Sequence, residues 1–212
     1  MDRLLVIDMQ NDFINGVLGT AEAQALVHPI AQFIRNFHGE RVIFTQDEHD
    51  YYSYEDTNEG AHIPFHCEYG SDGWKINQEL IDAAKDWYHE RKRDGFHVST
   101  YTWAKSEFGD ISLAEECGNR QKTETDDADT IWVCGVCTDI CVIANAMLIK
   151  AWNPDTRVVV IENLCAGTTP EKHNAAIEVM KSLLIETCSL KTIPVHENGE
   201  LTDKIAYSYS YK

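Results

Sequence analysis

The sequence predicts an α/β fold: three layers, α/β/α, around a central, mostly parallel sheet of five to six strands. Three observations carry that expectation. Short apolar runs recur along the chain, helical patterns separate them, and no linker-like stretch interrupts the alternation. Strands that alternate with helices form parallel sheets, because each crossover helix carries the chain back and covers a face. The candidate strands are residues 4–7, 41–45, 96–100, 130–134 and 157–161, with 190–195 a candidate sixth. They are rich in Val, Ile, Phe or Thr, as strands buried on both faces are.

The elements between them follow in order. After the first strand, Leu26, Ile30, Phe33, Ile34 and Phe37 fall on one helical face, with Pro29 either opening that helix or kinking it. Residues 47–74 form an irregular stretch too long for an idle connection, which marks it as functional. The fourth strand runs into Gly135-Val136-Cys137-Thr138-Asp139-Ile140-Cys141-Val142, read as a tight glycine turn and a helix with Thr138 as N-cap. Thr169-Pro170 opens the last helix, whose apolar stripe is Ala176, Val179, Met180, Leu183 and Leu184. Without repeats or linkers, residues 1–212 are expected to form one domain.

Composition narrows the partners. A net charge of −17 over 212 residues argues against nucleic acid or an anionic membrane surface. The acidic run at residues 124–129 reads as a solvated loop. No apolar stretch reaches the roughly 18–20 residues that span a bilayer, and the N-terminus enters a strand pattern without a signal-peptide core. Seven scattered cysteines, an odd number in a chain this long, read as reduced thiols rather than a disulfide framework, so the expected location is cytoplasmic.

Parallel sheets bind ligands beyond the carboxyl ends of their strands, and polar residues gather there. Cys141 would sit in the first turn of a helix, where free N–H groups and the helix dipole favour a thiolate; an arbitrary cysteine is more often a small core residue. Asp8 follows the first strand and suits the work of general base and then general acid, although alone it also reads as a turn cap. Lys105 follows the third strand and its two aromatics, where its ammonium would favour both the Cys141 thiolate and the Asp8 carboxylate; a lone lysine is more often a solvated surface charge. Together the three make a triad of nucleophile, proton carrier and cation. Backbone N–H groups of Cys141 and of the turn near Val136 and Cys137 are the candidate oxyanion donors. Asp47-Glu48-His49 and the later His66-Cys67 offer two imidazoles and a carboxylate, donors suited to Zn, Fe or Mn. The competing reading is an exposed loop.

On these segments the chain resembles the isochorismatase-like cysteine hydrolases, and among them the nicotinamidases. The matching stretches are Leu5-Val-Ile-Asp8-Met-Gln-Asn-Asp-Phe13, Asp47-x-His49, Pro64-Phe-His66-Cys67, Lys105 and Gly135-Val-Cys-Thr-Asp-Ile-Cys141-Val, in family order. The resemblance implies Asp8, Lys105 and Cys141 as catalytic residues, a cis peptide between Val136 and Cys137, and amide hydrolysis through a thioester. It implies Phe13 as a contact of the substrate ring. It also matches Asp47, His49 and His66 to metal ligands, with Glu59 at the position of a fourth and His62 as its competitor. A divalent metal, zinc before iron or manganese, a small amide substrate and a homo-oligomer are implied with them. Ile63 departs from the pattern, since relatives carry a ring-stacking tryptophan there; Trp74, Tyr54 or Trp103 would have to supply the aromatic surface. Two alternatives stand beside nicotinamide hydrolysis: a ureido or carbamoyl amide as substrate, and a non-catalytic binding protein on the same scaffold.

Overall fold

The computed structural model describes residues 2–117, 130–197 and 200–211, with side chains through residue 191. The acidic run at 124–129 lies outside the described residues. The first strand, β1 (Arg3–Ile7), is buried at every position. It pairs in parallel with β2 (Arg41–Asp47) on one side and β4 (Thr130–Val136) on the other. Next to β2 lies β3 (Ser99–Lys105), and beyond β4 come β5 (Arg157–Ala166) and β6 (Glu186–Glu197), all parallel. A seventh strand, β7 (Glu200–Tyr211), returns antiparallel along β6, giving the order β3-β2-β1-β4-β5-β6-β7. The six parallel strands agree with expectation; the antiparallel seventh adds to it.

Helices cover both faces of the sheet. On one, α2 (Ala21–Arg35) packs against α4 (Gln78–Arg93). On the other, α6 (Ile143–Trp152) packs against α5 (Ile111–Cys117) and α7 (Pro170–Ser182). Leu26, Ile30, Phe33 and Ile34 of α2 are buried as the periodicity requires, each such side chain stabilising the fold by about 1.5–3 kcal/mol. Pro29 lies inside α2, which begins at the Thr20 cap, whose hydroxyl accepts from the Ala23 N–H. The Trp87 indole of α4 is buried and donates to the Phe37 carbonyl at 2.7 Å, joining α4 to the end of α2. Short turns α1 (Asn11–Ile14) and α3 (Tyr51–Tyr54) lie in the loops after β1 and β2.

Two elements differ from the sequence reading. The third strand starts at Ser99 rather than residue 96, because Phe96 stands exposed beneath the Arg91 guanidinium, 3.7 Å from its ring centre. Trp103 and Lys105 therefore belong to the strand instead of following it. In α7, Ala176, Ile177 and Met180 face inward, while Val179, Leu183 and Leu184 are exposed. The helix ends at Ser182, and Leu184 turns the chain with φ 61°, so the expected stripe runs past the helix end. Among the described residues no helix is long and apolar enough to cross a membrane.

Candidate active site

The parallel strands β1, β2, β3 and β4 end at one edge of the sheet, and Asp8, Asp47, Lys105 and Cys141 stand at or just beyond those ends. Register brings them side by side: Asp47 pairs with Lys105, and Ile7 with Gly135. Asp8 leaves β1 in the left-handed region, with φ 47°, a conformation that Asp tolerates better than most residues. Its N–H donates to Thr45 Oγ1 at 2.9 Å, and the Thr45 hydroxyl donates back to Asp8 Oδ1 at 2.5 Å. That reciprocal pair fixes the carboxylate, so Oδ2 meets Lys105 Nζ at 2.7 Å. Gly135 has φ 114°, and a Cβ there would overlap the Ile7 carbonyl. Only glycine lets β4 approach β1 at this height.

Cys141 lies on a single π-type turn, Thr138–Val142, that joins β4 to α6. Thr138 is not its N-cap, as the spacing suggested. Cys137 occupies that position without a side-chain cap, and the buried Thr138 hydroxyl pairs with His173 Nδ1 at 2.8 Å. Asp139 accepts from the Thr168 N–H at 2.8 Å and from its hydroxyl at 2.6 Å, docking the turn on the β5–α7 loop. Asn145 donates to the carbonyls of Cys141 and Phe108 and accepts from the Asp110 N–H. The peptide between Val136 and Cys137 is cis.

Lys105 Nζ sits 3.9 Å from Cys141 Sγ and 3.3 Å from Asp47 Oδ1. Burial alone would lower the lysine's pKa, but Asp8, Cys141 and Asp47 hold it above its usual value, so it stays an ammonium. Burial, then the Asp8 charge, pushes the Cys141 thiol well up, and Lys105 only partly opposes them. Burial thus opposes the thiolate that a helix terminus would favour. Burial likewise raises Asp8 against the pull of Lys105.

Asp47 joins this corner to a second group. Its Oδ2 lies 3.2 Å from both His49 Nε2 and His66 Nε2. Glu59 Oε1 is 3.8 and 3.7 Å from the same two nitrogens. Burial opposes ionisation of Asp47, yet the hydrogen bonds from His49 and His66 and the Lys105 charge hold it well below the carboxylate range. The loop positions His66 by its Nδ1, 2.9 Å from the Pro64 carbonyl and 3.3 Å from the Tyr54 hydroxyl, which leaves Nε2 facing the group. Gln10 holds Asp47 by accepting from its N–H at 2.6 Å and donating to its carbonyl at 2.8 Å. Of the two candidates for a fourth donor, Glu59 is in the group. His62 is exposed, with Nδ1 on the Asn58 carbonyl, though it reaches the cleft wall.

These four donors lie within 4.8 Å of one another, and Glu59 Oε1 is buried without a hydrogen-bond partner. Two imidazoles and two carboxylates around such an orphan acceptor fit a divalent cation, which would offset the excess of buried negative charge.

A model of the isochorismatase domain matches residues 3–192. The chain belongs to that family. The nicotinamidase of Saccharomyces cerevisiae is 24% identical, over 86% of this chain and 96% of its own. The nicotinamidase/pyrazinamidase of Mycobacterium tuberculosis is 28% identical, over 89% of this chain and 100% of its own. The crystal structure of a pyrazinamidase/nicotinamidase from Streptococcus mutans superposes with a TM-score of 0.66 at 26% identity, covering 88% and 99% of the two chains. This isochorismatase-family protein is a nicotinamidase-like hydrolase of non-peptide C–N bonds.

Both polar corners open into one cleft of about 450 Å³. Phe13, Ile63, Pro64, Phe108 and Ile140 give it apolar walls; Asp47, Glu59, His66, Cys137 and Cys141 line it as well. Phe13 lies 5.2 Å from the His66 ring and edge-on to it. None of the proposed aromatic substitutes lines the cleft. Trp74 turns its indole to Glu48, Tyr54 stands behind His49 and His66, and Trp103 bonds Asp110. Phe108 lines it instead, three residues past Lys105. An aromatic so soon after a strand end was the available signal.

Proposed function

We propose that this protein hydrolyses nicotinamide, or a close aromatic amide, to the acid and ammonia through a thioester on Cys141. One observation carries the reading: the Asp8–Lys105–Cys141 corner and the Asp47–His49–Glu59–His66 group share one apolar cleft and are joined through Asp47. Cys141 begins as a thiol, and Asp8 takes its proton as sulfur bonds to the amide carbon. Lys105 keeps its charge throughout, balancing Asp8 and then the developing thiolate. The carbonyl oxygen gains negative charge, which backbone N–H groups of the Val136–Cys141 turn would receive. The nitrogen leaves as ammonia with the proton from Asp8. Water then attacks the thioester, giving its proton to Asp8, and the C–S bond breaks to release the acid and restore the thiol. Asp47, His49, Glu59 and His66 would hold the divalent metal, zinc by donor type; when bound, it supplies a Lewis-acid anchor for an aromatic nitrogen. Phe13 and Phe108 supply ring surface, each contact worth about 0.5–1.5 kcal/mol beyond burial.

Ile63 favours a second reading, since an aliphatic wall at this position accommodates a non-aromatic ureido amide as well. Ammonia release from nicotinamide, assayed with metal content on the same preparation, tests both. Release with bound metal supports the first. Bound metal with release only from ureido amides replaces it with the second.

A further inference from the structure

Among the described residues three clefts reach the Asp47–His49–Glu59–His66 group; one touches it only at Glu59, and the other two, which touch it at more than one donor, differ in kind. The apolar cleft meets it at Asp47, Glu59 and His66, and carries Lys172 in its lining. A second cleft, of about 620 Å³, meets it at His49 and Glu59. Glu48, Asp50 and Glu107 stand along this one, and among the described residues no lysine or arginine lines it. At the junction Glu59 Oε1 is buried with no hydrogen bond, and His49 is 8% exposed. A hydrated cation entering by the apolar side would lose water against Phe13, Ile63 and Phe108 and would meet the Lys172 charge. On the acidic side it keeps its hydration and is attracted at every step.

We propose that the divalent metal reaches its donors through this second cleft, steered by Glu48, Asp50 and Glu107, while the amide uses the apolar cleft. The inference rests on reading the four donors as a metal site. It separates two traffics: metal exchanges without passing through the substrate cleft.

The test follows metal uptake rather than turnover. Full-length protein stripped by a chelator is mixed with Zn²⁺ against a fluorescent zinc indicator, at low and at physiological salt, and final metal content is measured. Glu48→Gln/Asp50→Asn/Glu107→Gln keeps the acceptor that Trp74 Nε1 uses at Glu48 and the α3 cap at Asp50. It should slow uptake about tenfold at low salt, less as salt screens the carboxylates, with final content unchanged. Glu107→Gln alone, at an exposed residue, should slow uptake roughly twofold and guards against a folding artefact. Ile63→Trp, which narrows the apolar cleft, should leave the rate unchanged. Equal uptake rates for the triple variant and the parent overturn the route, as does slowing confined to Ile63→Trp. A parent chain that ends without metal overturns the metal-site reading itself, a failure visible in the content measurement alone.

Discussion

Asp8 and Lys105 stand at the ends of β1 and β3, whereas His49, Glu59 and His66 stand on the segment between β2 and α4. Buried apolar strands fix the first pair. Leu4, Leu5, Val6 and Ile7 are wholly buried, and β1 is paired on both sides, so Asp8 is held to the precision of the sheet. The second set depends on single polar tethers: Gln10 on Asp47 and Trp74, Asp12 on the Cys67 N–H, Tyr54 on Ile63 and His66. The difference teaches that the Asp8–Lys105 pair inherits its place from hydrophobic patterning, while the donor group is assembled by side-chain hydrogen bonds and by the charge it encloses.

Cys141→Ala should separate the corners most sharply, lowering kcat by roughly 10⁴–10⁶ while metal content stays the same; full residual activity would sink the thioester route. Lys105→Met would leave Asp8 and Asp47 buried without their cation. A loss of about 3–5 kcal/mol in denaturant unfolding is expected, and an unchanged midpoint would show that charge pairing does not hold the strand-borne corner. Removing the metal should cost about 2–4 kcal/mol relative to the saturated protein and abolish turnover, both reversed on adding Zn²⁺. If stability is indifferent to chelation, the donor group does not depend on an ion. Gln10→Ala strips Asp47 of its backbone partners; it should cost about 1–3 kcal/mol and weaken metal binding by roughly 10–100-fold, measured by indicator competition. Tyr54→Phe removes one hydroxyl and should cost about 1 kcal/mol, with a metal affinity close to the parent's. A larger loss there than in Gln10→Ala would reverse the ranking of the tethers.

The same contrast explains what could be read from the sequence. The runs at 4–7, 130–134 and 157–161 lie inside β1, β4 and β5, because strands buried on both faces leave an unbroken apolar signature. The third strand was displaced because Phe96 looks like core until Arg91 is seen to cover it. The stripe of α7 failed at Leu183 and Leu184 because periodicity does not announce where a helix stops. Asp8 and Cys141 were legible as residues beyond apolar runs, whereas Lys105, read as following its strand, ends it. The choice between Glu59 and His62 was not, since it depends on how the 57–63 turns fold. Nor was the burial of Cys141: sequence places it at a helix start, and only packing shows how little water reaches it.

Asn145 ties the Cys141 carbonyl, the Phe108 carbonyl and the Asp110 amide with one side chain. The backbone of the cleft wall is thus riveted to the backbone that carries the sulfur, while the Phe108 ring is free of that joint. Side chains at Phe108 can therefore be exchanged to widen or narrow the opening without shifting the reactive atom. For anyone retuning which amides this scaffold accepts, Phe108 is a dial and Asn145 is the bearing it turns on.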